Sequence, residues 1–554
     1  MGTGLRSILL GLALATAGAA LPARDLGEPP PLGTGASPLA ARLVLPPLRT
    51  DAGSDVQRQF ETTQVGRRFR RLGLDAAAAE AAWQGADETL RRARLALAAE
   101  TPSRIAVFDG TTASQLNRRL REPPLAPLGA LRVRSDRLLL DEPIRIARGP
   151  LLLDLGHAEL RPPAGAAPRF AVRIENAAGV TVEGGRFVDG DWAVLVRGGR
   201  DVVLRGLHVA DLRRGGVVVT GSVGTVVGRS TFARIDGAPI LLHGDSRQNA
   251  LLDNEIRDNR GTSNWHAGIV VSDRGVAVDG DPDALLAADR HGVREERIDA
   301  RLSVPRDNVV GWNRIQGNLS SGIYADGGVR NVFVGNTIEA NAKEGVCLDN
   351  GASGNVVVGN AIRGNGKRWG QVDDVLRRDF VLGLGRLADG TSPAKTPGLS
   401  LDNAAHNIVV ANVLDRNFGG GVKLVRTAFF NRIGLNVLAD DAEGTNARFH
   451  FFGIELGAAP ADGPVADLDF TPSRGNLVFA NTIRGRHHAG IFFGPGSTDN
   501  DTFDNSVFGA TAWALEQVRP QPNPSLNNLT NLPSRNIGSG LDPKLLQIGK
   551  ARQD

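Results

Sequence analysis

Three aspartates recur at the same point of a repeated five-residue phrase. The phrase runs glycine, aliphatic, variable, apolar, polar, and it reads Gly322-Ile323-Tyr324-Ala325-Asp326, Gly345-Val346-Cys347-Leu348-Asp349 and Gly398-Leu399-Ser400-Leu401-Asp402. This alternation predicts short strands whose third and fifth side chains point away from the core. If the strands stack in parallel, the three aspartates form one file with neighbours about 5 Å apart.

Such a file predicts acid–base chemistry. Like charges at this spacing repel each other, and the repulsion raises the pKa of at least one carboxyl group. Glycosidases use carboxylate pairs separated by about 5–5.5 Å or about 6.5–9.5 Å. The hypothesis is therefore hydrolysis, with Asp326, Asp349 and Asp402 as acid and base. The alternative is architectural, because each aspartate precedes a glycine or asparagine and could simply form a turn.

Other polar residues near these strands complete the candidate site. The candidate catalytic residues beside the aspartates are Tyr324, which is the only tyrosine, Lys423 and His266. The candidate substrate-binding residues are Lys343, Glu344, Asn350, Asn403, Arg426 and Glu455. Each has a simpler interpretation: the basic residues could only neutralise the aspartates, and Tyr324 and His266 could only pack. No metal-ligand cluster is predicted, although a cation such as Ca²⁺ could bind the aspartates.

Pairs of asparagines, five residues apart around an apolar segment, indicate the elements that position this site. The pairs are Asn249/Asn254, Asn308/Asn313, Asn331/Asn336, Asn355/Asn360, Asn407/Asn412, Asn431/Asn436, Asn476/Asn481 and Asn500/Asn505. Where no insertion intervenes, they recur every 23 or 24 residues, as from Asn308 to Asn331 and on to Asn355. This period is too short for helical repeats and fits one coil of short strands. It predicts an all-β parallel β-helix solenoid in which stacked asparagines bond along the ladder.

The domain organisation follows from where the repeat begins, breaks and ends. Glycine-aliphatic strands border each break, so the insertions are expected to wall a groove over that strand column. An N-terminal helical cap is expected to cover an open end of the solenoid. The predicted segments are a signal peptide at 1–23, a linker at 24–54, a helical segment or cap at 55–105, a solenoid at 106–511 with insertions at 274–306, 366–396 and 439–474, and a C-terminal cover and tail at 512–554.

The coil repeat and the asparagine pairs resemble the right-handed parallel β-helix, or pectate-lyase-like, superfamily over about residues 130–510. That superfamily includes polygalacturonases, alginate lyases and mannuronan C5-epimerases, so the resemblance implies a right-handed solenoid and polysaccharide chemistry. The polygalacturonase motifs are not reproduced here. The epimerase signature Asp-Pro-His-Asp is also missing, and the nearest string, Asp281-Pro282-Asp283, lies in an insertion instead of on a strand. No catalytic residue is therefore carried over.

Three functions remain open at this point. The first is an exported polysaccharide-active enzyme, most simply a glycoside hydrolase. The second is a lyase or C5-epimerase acting on a uronate polymer, with Lys343, Lys423 or His266 as base and Tyr324 as acid. The third is a non-catalytic glycan-binding or cell-envelope protein.

The composition limits the kinds of binding partner and of metal site that the chain could have. A formal net charge of +4 over 554 residues argues against a nucleic-acid binder. One methionine and one cysteine, Cys347, exclude a copper-rich site and an internal disulfide. The apolar run near the N-terminus is short for a membrane span. We therefore expect a secreted or periplasmic protein without an integral membrane segment after signal cleavage, monomeric or trimeric, with a polysaccharide as its partner.

Overall fold

The fold is described from a computed structural model of the 554-residue chain. The described residues are 45–48, 54–100, 105–122, 129–165, 167–273, 298–366, 397–440, 452–457, 473–485, 487, 489–494, 497–510, 513–518, 525–526, 529–530 and 534–537. The predicted signal peptide, most of the linker and most of each predicted insertion lie outside these residues.

Parallel strands wind into a solenoid with two sheets, as the repeat predicted. Within the described residues, one sheet has 14 strands and takes one strand from each coil, and we call it the site sheet. Its strands are Ile144–Ile146, Phe170–Glu175, Trp192–Arg197, Gly215–Thr220, Ala238–His243, Ile269–Ser272, Ile323–Asp326, Val346–Asp349, Leu399–Asp402, Val422–Val425, Phe452–Leu456, Ala489–Phe493, Trp513–Val518 and Ser534–Ile537.

The other sheet has 27 strands in the described residues and takes two from a regular coil, so we call it the paired sheet. Its strands are Ala106–Phe108, Ala130–Val133, Arg137–Leu139, Leu151–Arg161, Val180–Val188, Val203–Arg205, His208–Ala210, Val226–Gly228, Thr231–Ala233, Ala250–Leu252, Glu255–Arg257, Val309–Gly311, Arg314–Gln316, Val332–Val334, Thr337–Glu339, Val356–Val358, Ala361–Arg363, Ile408–Val410, Val413–Asp415, Arg432–Gly434, Val437–Asp440, Leu477–Phe479, Thr482–Gly485, Asp501–Phe503, Ser506–Phe508, Ser525–Leu526 and Leu529–Thr530.

Alternation along each site-sheet strand separates the core from the outer face. Ile323 and Ala325 lie in the main hydrophobic core, together with Val346 and Leu348 of the next strand. Tyr324, between the two core residues, instead belongs to a separate cluster on the outer face. Because successive strands pair residue for residue, each sequence position recurs in a file along the solenoid axis.

Stacked asparagines hold the corners of the coils together. Asn336 is representative: its Oδ1 accepts the backbone N–H of Asn313 at 3.0 Å and the side-chain amide of Asn313 at 3.0 Å. Its own Nδ2 donates to the Val310 carbonyl at 2.9 Å and to Asn360 Oδ1 at 2.9 Å. The buried amides therefore have their hydrogen-bonding groups satisfied by the coils on either side.

A third asparagine file accompanies the two predicted ones. It lies five residues beyond the second member of five of the eight pairs and comprises Asn259, Asn318, Asn341, Asn365 and Asn417. The same amide-to-amide bonds connect its members, for example Asn318 Nδ2 to Asn341 Oδ1 at 2.7 Å. The sequence did contain a signal for this third file, because its asparagines continue the five-residue spacing of the pairs by one more step.

Helices cover the solenoid along its side as well as at its end. The helices are α1 (Asp55–Thr62), α2 (Gln64–Arg71), α3 (Ala78–Ala98) and α4 (Ala113–Arg121), with 3₁₀ turns at Asn264–His266 and Ile298–Ala300. The predicted helical segment is present, but α3 packs its small apolar face on paired-sheet strands of six successive coils, from Val203–Arg205 to Val356–Val358. The element at the N-terminal end is α4, which contacts the first site-sheet strand and places Ala113 and Leu116 in the main core.

The C-terminal boundary of the predicted solenoid and one predicted insertion need adjustment. The stack does not stop at residue 511, because the strand Trp513–Val518 pairs in parallel with Ala489–Phe493 and is itself followed by Ser534–Ile537. The interval 439–474, predicted as an insertion, contains the site-sheet strand Phe452–Leu456. Among the described residues, no helix has both the length and the apolar character needed to cross a bilayer.

Candidate active site

The acidic file predicted from the sequence is present on the outer side of the site sheet. Asp326 and Asp349 are register partners in adjacent parallel strands. Asp402 follows directly after the Leu348–Leu401 pair, which makes it the next member of the file. Residues from three separate coils are thereby brought together, although the environments of the three carboxyl groups differ.

Asp349 lies at the centre of the file and is 9% exposed. Its Oδ2 accepts a hydrogen bond from the Tyr324 hydroxyl at 3.0 Å, and its Oδ1 accepts one from the Asn350 backbone N–H at 2.7 Å. Burial, followed by the charge of Asp402, raises the pKa of Asp349 to about 8. Asp349 therefore carries a proton at neutral pH and could donate it to a substrate.

Asp402, unlike Asp349, is kept ionised by a neighbouring cation. Arg426 Nε donates to Asp402 Oδ1 at 2.6 Å, and its Nη2 donates to Oδ2, so the guanidinium binds both carboxylate oxygens. Burial by itself lowers the pKa of Arg426, but the charge and hydrogen bond of Asp402 outweigh burial and raise it. The pair is therefore ionised, and one protonated and one charged carboxyl group lie on adjacent strands.

Replacing Arg426 tests whether it stabilises the ionised form of Asp402. We expect Arg426→Met to lower the free energy of unfolding by about 1–3 kcal/mol, since it leaves Asp402 partly buried without its cation. Adding Asp402→Asn to Arg426→Met should restore much of that loss, which chemical denaturation of the single and double variants would measure. A double variant that loses as much free energy of unfolding as Arg426→Met, or more, would show that the pair is not coupled.

Asp326 does not join the accessible part of the site. It is completely buried, at 0% exposure, and its Oδ1 lies 3.6 Å from Arg301 Nη1. The same Arg301 nitrogen is 2.9 Å from Asp273 Oδ1, and Arg68 pairs with the other oxygen of Asp273. The prediction that Asp326 lines the groove is thus corrected: two buried arginines and two buried aspartates form a structural cluster there.

The remaining predicted residues divide between the file and the turns beside it. Lys423 and Glu455 are register partners with a 2.9 Å ion pair, further along the outer face. Lys343 Nζ donates to Asn264 Oδ1 at 3.0 Å, in the turns that precede the strands. Partly buried Glu344 accepts from Ser321 Oγ at 2.9 Å, and desolvation raises its pKa.

The other predicted side chains lie at the two ends of these strands. Asn350 and Asn403 follow Asp349 and Asp402 with positive φ angles of 50° and 48°, so both also serve the architectural role of a tight corner. His266 ends a 3₁₀ turn next to Trp265, whose ring packs edge-on against Tyr324 at 5.4 Å. No described hydrogen bond links His266 to the aspartates.

Sequence reasoning missed three features of the site. Arg68 lies in the predicted helical segment, where nothing in the sequence marks it as buried, yet it is 1% exposed. Arg301 belongs to a predicted insertion and gave no repeat signal. Cys347 is the register partner of Tyr324 on one side and of Ser400 on the other. Burial, together with nearby carboxylates, raises the pKa of its thiol well above the usual value. This thiol is therefore not a ready nucleophile.

Comparison with known proteins agrees with the coiled architecture. The family model described as right-handed β-helix region matches residues 167–280 and 305–374. The strand topology and this match define a right-handed parallel β-helix protein. No curated protein sequence matches the chain with significant similarity.

Solved structures with a similar course of the chain have different activities. The A-module of mannuronan C-5 epimerase AlgE4 from Azotobacter vinelandii is 14% identical over 76% of this chain and 97% of its own, with a TM-score of 0.44. The catalytic domain of a GH87 alpha-1,3-glucanase is 11% identical over 78% and 70%, with a TM-score of 0.43. PfbA, a surface adhesin of Streptococcus pneumoniae, is 11% identical over 71% and 86%, with a TM-score of 0.42. A fold by itself does not specify a function, so the activity is argued from the site.

Proposed function

We propose that this protein is an exported enzyme that cleaves an extended polysaccharide by hydrolysis. The observation that carries the proposal is the pair Asp349 and Asp402 on adjacent strands, one with its pKa raised to about 8 and the other ionised against Arg426. Glycosidases need such a pair, with one carboxyl group protonated and the other charged. The spacing of adjacent strands, about 4.8 Å, is close to the separation of about 5–5.5 Å used by retaining enzymes.

The roles follow from the two environments. Asp349 donates its proton to the glycosidic oxygen as the bond to the anomeric carbon breaks. Asp402 is the charged partner: it either attacks the anomeric carbon, forming a glycosyl ester that water then cleaves, or removes a proton from an attacking water. In both routes water supplies the new hydroxyl group and a proton returns to the carboxyl pair. The anomeric configuration of the first product distinguishes the routes.

The charge balance favours a neutral glycan over a uronate polymer. Elimination and epimerisation need a group that neutralises the uronate carboxylate, most simply a cation. In the described part of the site, Arg426 is bound to Asp402 and Lys423 is bound to Glu455. A substrate carboxylate would have to compete with these protein carboxylates, whereas an uncharged sugar would not.

A glycan screen tests the proposal. Wild type, Asp349→Asn and Asp402→Asn would be incubated with soluble neutral polysaccharides and with polyuronates, and reducing ends and ultraviolet absorbance would be recorded. We expect reducing ends from a neutral glycan without absorbance from an unsaturated product, and loss of this release in both variants. Absorbance with a polyuronate would favour a lyase instead. Glycan binding without turnover, unchanged in the variants, would favour a non-catalytic protein.

A further inference from the structure

One arginine of the N-terminal helices reaches the turn that carries Asp349. Arg68 lies on α2, and its guanidinium is enclosed by acceptors. Nε donates to the Arg301 carbonyl at 3.0 Å, and Nη1 donates to the Asn350 and Gly351 carbonyls at 3.2 and 2.9 Å. Nη2 donates to the Gly327 carbonyl at 2.6 Å and to the Asp273 carboxylate. Arg301 belongs to the predicted insertion, and the other acceptors directly follow three successive site-sheet strands.

Asn350 connects this arginine to the candidate acid. The Asn350 carbonyl accepts from Arg68 and also from Arg301 Nη2 at 3.1 Å. The backbone N–H of the same residue is shared between Asp349 Oδ1 at 2.7 Å and the Asp402 carbonyl of the next coil at 3.1 Å. Asn350 adopts a left-handed conformation, with φ of 50°, which costs free energy unless its surroundings hold it. Hydrogen bonds to the carbonyl therefore stabilise the conformation in which the N–H faces the carboxyl group.

We propose that Arg68 is a positioning residue for Asp349, acting through Asn350, so that the N-terminal helices form part of the active centre. The inference rests on the proposed function for its catalytic meaning. α2 is itself fixed to the solenoid, because Phe69 stacks on His406 at 4.5 Å. The preceding helix α1 is fixed beside it, because Phe60 packs against Phe429 and against Phe69. The planar guanidinium suits the role, since it bonds several carbonyls in fixed directions where an ammonium group cannot.

The only tyrosine of the chain supplies a readout that needs no substrate. Described contacts to Tyr324 come from Asp349, from Trp265 and, electrostatically, from Arg426, with Cys347 as its register partner. The hydrogen bond to the Asp349 carboxylate stabilises the protonated phenol. Displacing the carboxylate should therefore lower the pH at which half of the Tyr324 phenol is ionised. Ultraviolet difference spectroscopy measures this pH, and because the chain has one tyrosine the signal comes from Tyr324 alone.

The test compares Arg68→Met with Asp349→Asn, the double variant and a control on the same helix, Arg70→Met, whose side chain is exposed. We expect Arg68→Met to shift the Tyr324 midpoint in the direction of the Asp349→Asn shift, with no further shift in the double variant and none in Arg70→Met. A folded Arg68→Met protein with the wild-type midpoint would overturn the inference. If Arg68→Met does not fold, Arg68→Lys, which keeps the charge beside Asp273, is judged by the same criterion.

Activity separates this inference from the proposed function. On the glycan that gives the highest rate in the screen, we expect Arg68→Met to lower kcat by about 10-fold or more with little change in KM, and to cost nothing further in the Asp349→Asn background. If Asp349→Asn retains wild-type cleavage, the proposed function fails while the tyrosine titration still decides the role of Arg68. If Asp349→Asn is inactive and Arg68→Met is unchanged in both readouts, only the inference about Arg68 fails.

Discussion

Asp349→Asn is expected to lower the rate of glycan cleavage by about 10²–10⁴-fold, the usual contribution of a general acid. The substitution keeps the shape of the side chain and its hydrogen bonds to Tyr324 and Asn350 in reach, but it removes the proton that the glycosidic oxygen receives. Initial rates of reducing-end release at saturating glycan would measure the loss. Asp415→Asn, on the paired sheet, is the matched control and should retain the wild-type rate.

The same substitution should change how stability depends on pH. Burial and the charge of Asp402 raise the pKa of Asp349 from 3.8 to about 8 in the folded chain. Below about pH 4 the group is protonated in both states. Between about pH 4 and pH 8 only the unfolded chain releases the proton, so the free energy of unfolding falls as the pH rises. Above pH 8 this contribution changes no further.

We therefore expect Asp349→Asn to stabilise the protein relative to wild type at pH 9 and to have much less effect at pH 4. Thermal unfolding of both proteins across that range would show the difference. A constant difference at all pH values would mean that Asp349 ionises normally, and it would remove the basis for assigning it as the acid. A stabilised but inactive variant would show that the site is kept at a cost in stability.

Asn336→Ala is expected to lower the free energy of unfolding by about 3–5 kcal/mol. The substitution leaves the backbone N–H and the side-chain amide of Asn313 without their acceptor. It also removes a donor from the Val310 carbonyl, in a region without access to water. Each unsatisfied buried group costs about 1–3 kcal/mol. Chemical denaturation of purified protein gives the value.

Arg314→Ala is the control for that experiment, because Arg314 is exposed on the neighbouring coil. It should change the free energy of unfolding by no more than about 0.5 kcal/mol. A loss of similar size in both variants would mean that the asparagine file adds little beyond the strands themselves.

The repeated phrases were sufficient to predict the fold because solenoid coils repeat local geometry. Each five-residue phrase and each asparagine pair specifies the same strand and corner, so register followed from spacing alone. The proximity of Asp349 and Asp402 was predictable for that reason. The burial of Asp326 was not, because it depends on Arg301 from an aperiodic insertion and on Arg68 from a distant helix. Charge pairing between Arg426 and Asp402 was one of two open interpretations, and only the geometry decided between them.

The long helix α3 affects how the solenoid unfolds. In a solenoid held only by contacts between neighbouring coils, terminal coils can fray one after another. Here a single rod of 21 residues runs antiparallel to the stacking direction, with Leu97 near Gly228 and Ala78 near Gly354. Any coil beneath α3 can unfold only if α3 also detaches from it, so the six coils should unfold cooperatively. The middle of the protein, where Asp349 resides, should consequently resist mechanical or thermal loosening as one unit.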